Sequence, residues 1–184
     1  MKCLTKKISD FTPEQYNKCL SLMTEERRAY LDTVSSKEKK LASVCGEWWV
    51  KELTSEITNK SIEEITVLHN KKGKPYLKDL PFHISISHCA DLIAVAISES
   101  PIGIDTEKIK DRDLKVCRKV CTEKEKEIIE NSNNSLEAFY KIWTAKEAYF
   151  KKEGTGITNL KAVSYESIDC EHFFEDEYII TVAK

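Results

Sequence analysis

The sequence predicts an α+β protein of two similar α+β halves packed as a pseudo-dimer. Three observations carry this. A long helix followed by antiparallel-type strands occurs twice along the 184 residues. The longest apolar run, Leu92-Ile93-Ala94-Val95-Ala96-Ile97, fits a buried central strand near mid-chain. No Gly- or Ser-rich linker divides the chain, which has only five glycines, so the halves should close into one unit with a cleft at their seam. The expected division is 1–100 for the N-terminal half and 101–184 for the C-terminal half.

The elements follow in order. Thr12 and Pro13 supply a cap and first turn for a short helix. Ser35-Ser36-Lys37-Glu38 has a capping-box pattern and introduces a long helix with Leu41, Val44, Cys45, Trp48 and Leu53 at helical spacing, its apolar face widened by Trp49. Ile65-Thr66-Val67-Leu68 reads as a strand, Lys71 to Pro75 as a turn, and Pro75-Tyr76-Leu77 as a short extended piece. Phe82 to His88 alternates apolar and polar residues, and the brief Cys89-Ala90-Asp91 connection joins it to the strand Leu92 to Ser98. Pro101 to Asp105 begins another extended segment. Leu114 to Val120 is weakly helical, and Thr122-Glu123-Lys124-Glu125 is a second capping-box pattern. Ser135 is the expected cap of a helix running to about Lys152, with Phe139, Ile142, Trp143 and Tyr149 as its stripe and Gly154 as its stop. Ala162-Val163-Ser164-Tyr165 and Tyr178 to Ala183 read as closing strands.

Composition narrows the function classes. Hydrophobic residues are 41% and charged residues 33%, as in a soluble globular protein. A net charge of -2 supplies no global basic field for nucleic acid. No apolar run reaches bilayer length, and Met1 to Lys7 is charged with no apolar stretch behind it, so neither a membrane span nor a secretory signal is expected and the location should be the cytoplasm. Seven cysteines without a CxxC pair argue against a disulfide framework. Cys117 and Cys121 share a helix face and read as buried thiols rather than half of a zinc site.

Three short motifs can carry chemistry. In Gly103-Ile104-Asp105-Thr106-Glu107, residues two apart on an extended chain face the same way, so Asp105 and Glu107 present two carboxylates together. Such a pair repels unless a proton or cation intervenes, and a hard ion such as magnesium suits it. In Trp143-Thr144-Ala145-Lys146-Glu147-Ala148, continuing to Lys151, positions 143, 147 and 151 share one helix stripe. Ser87-His88 ends an alternating strand, with neither acid spacing nor a Gly-x-Ser-x-Gly elbow for a hydrolase. Each motif alone also suits a plain role: a solvated acidic pair, an i,i+4 ion pair, a half-buried histidine.

Taken in order with Gly73-Lys74-Pro75, these motifs resemble the 4'-phosphopantetheinyl transferases of the surfactin-synthetase-activating type, most densely from Gly73 to Gly156. The resemblance implies a pseudo-dimer of α+β halves that moves the 4'-phosphopantetheine arm of coenzyme A onto a serine of an apo acyl-, peptidyl- or aryl-carrier protein and releases 3',5'-ADP. It implies a magnesium ion on Asp105, Glu107 and Glu147, in the C-terminal half. It makes Lys151 a phosphate contact, Ser87 and His88 binders of coenzyme A phosphates, and Lys74 a contact near the nucleotide. Glu125 matches the glutamate assigned as general base, with Glu123 and Glu147 as alternatives. The sequence departs from the family at Thr106, usually aliphatic, and at Ala42, which stands at an arginine position before Ser43 and Gly46-Glu47. Contacts to the 3'-phosphate then fall to Ser43 and to Arg27 or Arg28. A monomer is expected, since two halves in one chain already supply a paired interface. The rival reading is a module that binds coenzyme A or a carrier protein without turnover.

Overall fold

The computed structural model of the chain describes residues 1–111, 114–157 and 159–184. Two three-stranded antiparallel sheets form its frame. The first contains β1 (Lys2–Lys7), β4 (His83–Cys89) and β5 (Leu92–Ser98) in the order β1-β5-β4. The second contains β6 (Gly103–Lys108), β7 (Cys170–Glu175) and β8 (Tyr178–Ala183) in the order β6-β8-β7. Between first strand and closing hairpin, the N-terminal half inserts α1 (Pro13–Leu22), α2 (Glu25–Thr33), α3 (Lys37–Thr58) and the ribbon of β2 (Val67–His69) and β3 (Pro75–Leu77). The other half inserts α4 (Cys117–Val120), α5 (Glu123–Glu130) and α6 (Ser135–Glu153). The fold is thus α+β with two similar halves.

The likeness between the halves extends to register. Each closing hairpin turns in two residues, with Cys89 opposite Leu92 and Glu175 opposite Tyr178. Ala90 and Asp176 begin these turns with the same φ of 50°, the left-handed conformation such tight turns demand. Lys7 pairs with Leu92 as Lys108 pairs with Tyr178. The next amides, of Ile8 and Ile109, each donate at 2.7 Å to a turn carbonyl, of Asp91 and Glu177. This correspondence sets Leu4 and Lys6 of β1 at the positions of Asp105 and Glu107 in β6.

Strand β5 is apolar from Leu92 to Ile97 because both its faces are covered there. Ile93, Val95 and Ile97 join the core of the N-terminal half with Trp48, Trp49 and Leu53 of α3. Leu92, Ala94 and Ala96 face the seam, with Ile104, Ile180 and Val182 of the second sheet. The small alanines let the sheets approach. A third cluster, with Phe139, Tyr140, Ile142 and Ile179, seats α6 on β8.

Helix boundaries follow local chemistry. Thr12 and Gln15 form a reciprocal capping box, as do Thr122 and Glu125. At α3, Ser36 accepts from the amide of Lys39. Helix α6 ends at Gly154 with φ 65°, as expected, but its cap is Asn134, whose side chain accepts from the Glu137 amide; Ser135 is already the first helical residue.

Other sequence expectations change. The strand expected at Ala162–Tyr165 falls instead between two 3-10 turns, Leu160–Ala162 and Tyr165–Ser167, because Asn159 caps the first and the Ser164 carbonyl accepts from the Ser167 amide in the second. The strand there is β7, further on. Strand β1 was not foreseen: Lys2, Lys6 and Lys7 give it the texture of a surface segment, yet it pairs along the full length of β5 from Lys2 to Lys7. The strand read from Ile65 begins at Val67, after the 3-10 turn Ile62–Glu64.

Candidate active site

Strand β6 and helix α6 meet at Gly103. A Cβ on that residue would lie 1.8 Å from the carbonyl oxygen of Ala148, so only glycine allows the helix this close. The approach brings Asp105, two residues along β6, to Lys151 on the helix.

Asp105 is buried, and its Oδ1 accepts from Lys151 Nζ at 2.6 Å and from Ser87 Oγ at 2.9 Å. Lys151 Nζ also donates to Ser87 Oγ at 2.7 Å. Asp105 Oδ2 is buried with no hydrogen-bond partner. Glu147 lies one turn before Lys151, its Oε1 accepting from the indole N–H of Trp143 at 2.6 Å. Burial pushes the Glu147 carboxyl up to about 7, with repulsion from Asp105 and, more weakly, Glu107 acting the same way against the attraction of Lys151 and the indole bond. The half-buried Glu107 accepts at Oε2 from Cys89 Sγ at 3.5 Å.

Glu147 is thus within electrostatic reach of both Asp105 and Glu107, with Lys151 beside Asp105. Among the described residues, no three His, Cys, Asp or Glu side chains already stand close enough to hold a metal ion. The cation now facing Asp105 is the Lys151 ammonium. The donors nonetheless fit a hard cation: all are carboxylates, one buried oxygen lacks a partner, and Glu147 carries a repulsion that a cation would relieve.

Two of the other expected residues have different surroundings. Ser87 is buried, and its hydroxyl is committed to Asp105, Lys151 and the amide of Thr106 rather than turned outward. Glu125, expected as the base, is enclosed. It is 1% exposed; Oε2 accepts from Lys146 Nζ at 2.6 Å and the Thr122 amide at 2.7 Å, and Oε1 from the Tyr165 amide at 2.8 Å. Although burial opposes it, these bonds hold its carboxyl below the ordinary value. A carboxylate so enclosed anchors α5 to α6. Glu123 is exposed and paired with Lys126 at 2.6 Å.

A basic trough leads to Lys151. A cavity of about 670 Å³ is lined by Arg27, Tyr30, Ser43, His69, Lys71 and Lys72, among others. A second, of about 310 Å³, shares Lys72 and Gly73 with it and continues past Lys74 and Ser85 to Lys151. Arg27 and Ser43, expected as phosphate contacts, thus line one wall together. Arg27 is held between Tyr30, 5.1 Å from ring centre to guanidinium, and the buried Glu47, 3.6 Å from its Nε. Arg28 is turned away, its guanidinium donating to the Met23 carbonyl at 2.8 Å. Lys74 reaches across the seam to the carbonyl of Lys152. His88 is exposed on the other face of β4 from Ser87.

Sequence reasoning took Trp143 only as a core anchor; its i,i+4 spacing to Glu147 was the signal for the indole bond. It gave no role to Lys146, Cys89 or Glu47, for which no local pattern points to a partner.

Two family models match the chain. The 4'-phosphopantetheinyl transferase superfamily model matches residues 101–184, and the 4'-phosphopantetheinyl transferase N-terminal model matches residues 10–100. Relatives include 4'-phosphopantetheinyl transferase gsp of Aneurinibacillus migulanus, 31% identical over 72% of this chain and 56% of the relative. Others are psf-1 of Bacillus pumilus, 30% identical over 63% and 51%, and Sfp of Bacillus subtilis, 27% identical over 79% and 66%. The chain spans between about half and two thirds of the length of these curated relatives.

Proposed function

Because this chain belongs to the 4'-phosphopantetheinyl transferase superfamily, we propose that it transfers the 4'-phosphopantetheine moiety of coenzyme A to a serine of an apo carrier protein. The observation that carries the reading is a basic trough that ends at Lys151, whose ammonium is bonded to Asp105 and follows Glu147 by one helical turn. Arg27, Ser43, Lys71 and Lys72 suit the anionic nucleotide end, and Lys74 and Lys151 suit the diphosphate.

The carrier serine oxygen attacks the β-phosphorus of coenzyme A. A new P–O bond forms to the serine, the bond to the bridging oxygen breaks, and 3',5'-ADP leaves. Lys151 would turn from Asp105 Oδ1 toward the diphosphate and stabilise charge on the leaving oxygen. Asp105, Glu107 and Glu147 would hold a magnesium ion, which supplies charge neutralisation at the diphosphate. With Glu125 enclosed, Glu147, one turn before Lys151, would be the carboxylate that accepts the serine proton. No helix among the described residues is long and apolar enough to cross a membrane.

The test is direct. Incubation with magnesium, coenzyme A and an apo carrier protein should add the phosphopantetheine mass to the carrier. A carrier unchanged across acyl-, peptidyl- and aryl-type substrates, while coenzyme A still binds, would leave a binding module instead.

A further inference from the structure

Strands β4 and β6 lie side by side at the seam, yet they are not partners in a sheet. The seam-facing side chains of β4 take the amides of β6 instead. Ser85 Oγ accepts from the Ile104 amide at 3.0 Å, Ser87 Oγ from Thr106 at 3.2 Å and Cys89 Sγ from Lys108 at 3.4 Å. Both series advance by two residues, so the strands run parallel at constant register.

The second and third rungs do more. Ser87 accepts the amide of residue 106 and donates to the carboxylate of residue 105. Cys89 accepts the amide of residue 108 and donates to the carboxylate of residue 107 at 3.5 Å. The unit is the same, displaced by two residues, with a thiol in place of a hydroxyl. The first rung has only Gly103 beneath it, with no carboxylate to hold.

From this repetition we propose that Cys89 is a positioning residue for Glu107, orienting its carboxylate toward the cluster as Ser87 orients that of Asp105. The inference rests on the reading of that cluster as a divalent-cation site. A thiol is a weak donor, and the amide of Lys108 fixes the sulfur so that its S–H faces Glu107.

The experiment measures Mn²⁺ binding by electron paramagnetic resonance, on the whole chain with coenzyme A present. Wild type is compared with Cys89→Ala, Cys89→Ser, Asp105→Asn and, as a control for thiol loss, Cys3→Ala. Cys89→Ala should weaken Mn²⁺ binding roughly tenfold, the low end of what removing a partner behind a metal ligand does. Cys89→Ser should equal or exceed wild type, because a hydroxyl repeats the Ser87 unit with a stronger donor. Cys3→Ala should change nothing. In transfer assays, Cys89→Ala should raise the magnesium concentration for half-maximal rate with little loss of kcat, whereas a merely structural role would lower kcat and Tm together. Mn²⁺ affinity in Cys89→Ala equal to wild type, or lower in Cys89→Ser, overturns the positioning role and leaves the cation site standing. Wild-type binding that is absent, or untouched by Asp105→Asn, overturns the cation site and the inference with it.

Discussion

The two halves share a strand order, a hairpin turn and a register, and their long helices share a Glu-x-x-x-Lys spacing: Glu47 with Lys51 on α3, Glu147 with Lys151 on α6. Their outcomes differ. In the N-terminal half both Glu47 oxygens are buried without hydrogen bonds, the nearest cation is Arg27, and Lys51 donates to the carbonyl of Ile65. In the C-terminal half Lys151 lines a trough and bonds Asp105, one turn beyond Glu147. The divergence traces to two positions on the first strand, Leu4 and Lys6 in β1 against Asp105 and Glu107 in β6. One scaffold, used twice, carries a basic cavity wall on one side and a carboxylate cluster on the other.

The sharpest way to break this comparison is to exchange its key positions. Asp105→Ala should lower carrier modification by ~10²-fold or more, with Tm nearly unchanged. The equivalent Leu4→Ala should leave transfer intact and lower stability by about 1–2 kcal/mol, since Leu4 is only half-buried. Mass spectrometry of the carrier and thermal melting separate the two effects.

A second contrast lies in how each helix reaches its sheet. Gly103→Ala drives a methyl into the backbone of α6 and should destabilise by about 3 kcal/mol while displacing Asp105, so that activity falls with Tm. Gly46→Ala sets its methyl 2.7 Å from Ile86 Cγ2, a side chain that can rotate, and should cost about 1 kcal/mol with activity retained. Denaturant titration gives both values.

Smaller effects refine the site. Trp143→Phe keeps the ring among Phe139 and Tyr140 but removes the donor to Glu147. Transfer should slow about tenfold with Tm little changed, as for loss of one hydrogen bond to a charged group. The smallest effect concerns pH. Burial pushes the Glu47 carboxyl from 4.5 to about 7, against the pull of Arg27 and Lys51. The folded chain therefore holds this proton more tightly than the unfolded chain. Its contribution is full below about pH 4.5 and is lost as pH rises through about 7. Glu47→Gln should show a smaller fall in unfolding free energy between pH 5 and pH 8 than wild type.

Much of this was legible in the sequence. Caps such as Thr12 and Thr122, the Gly154 stop and the doubly covered β5 announce themselves through local chemistry. The neighbourhood of Asp105, Glu107, Glu147 and Lys151 was legible because period two on a strand and period four on a helix are local rules. Strands β1 and β7 were missed because they flank their sheets and carry charges that mask alternation. The enclosure of Glu125 was not foreseen, for a different reason. Its burial is made by Lys146 and the Tyr165 amide, distant in sequence, and a capping glutamate looks the same whether or not such partners enclose it.

The rungs joining β4 to β6 have a further consequence, for solubility. With β8 on one side, β6 would otherwise offer a bare row of amides to any passing extended chain, the usual seed of intermolecular strand addition. Ser85, Ser87 and Cys89 occupy that row with side chains too short to extend the ladder outward. The strand bearing the acids is thereby sealed against templated aggregation, and a chain that lost the contact between its halves would lose that protection first.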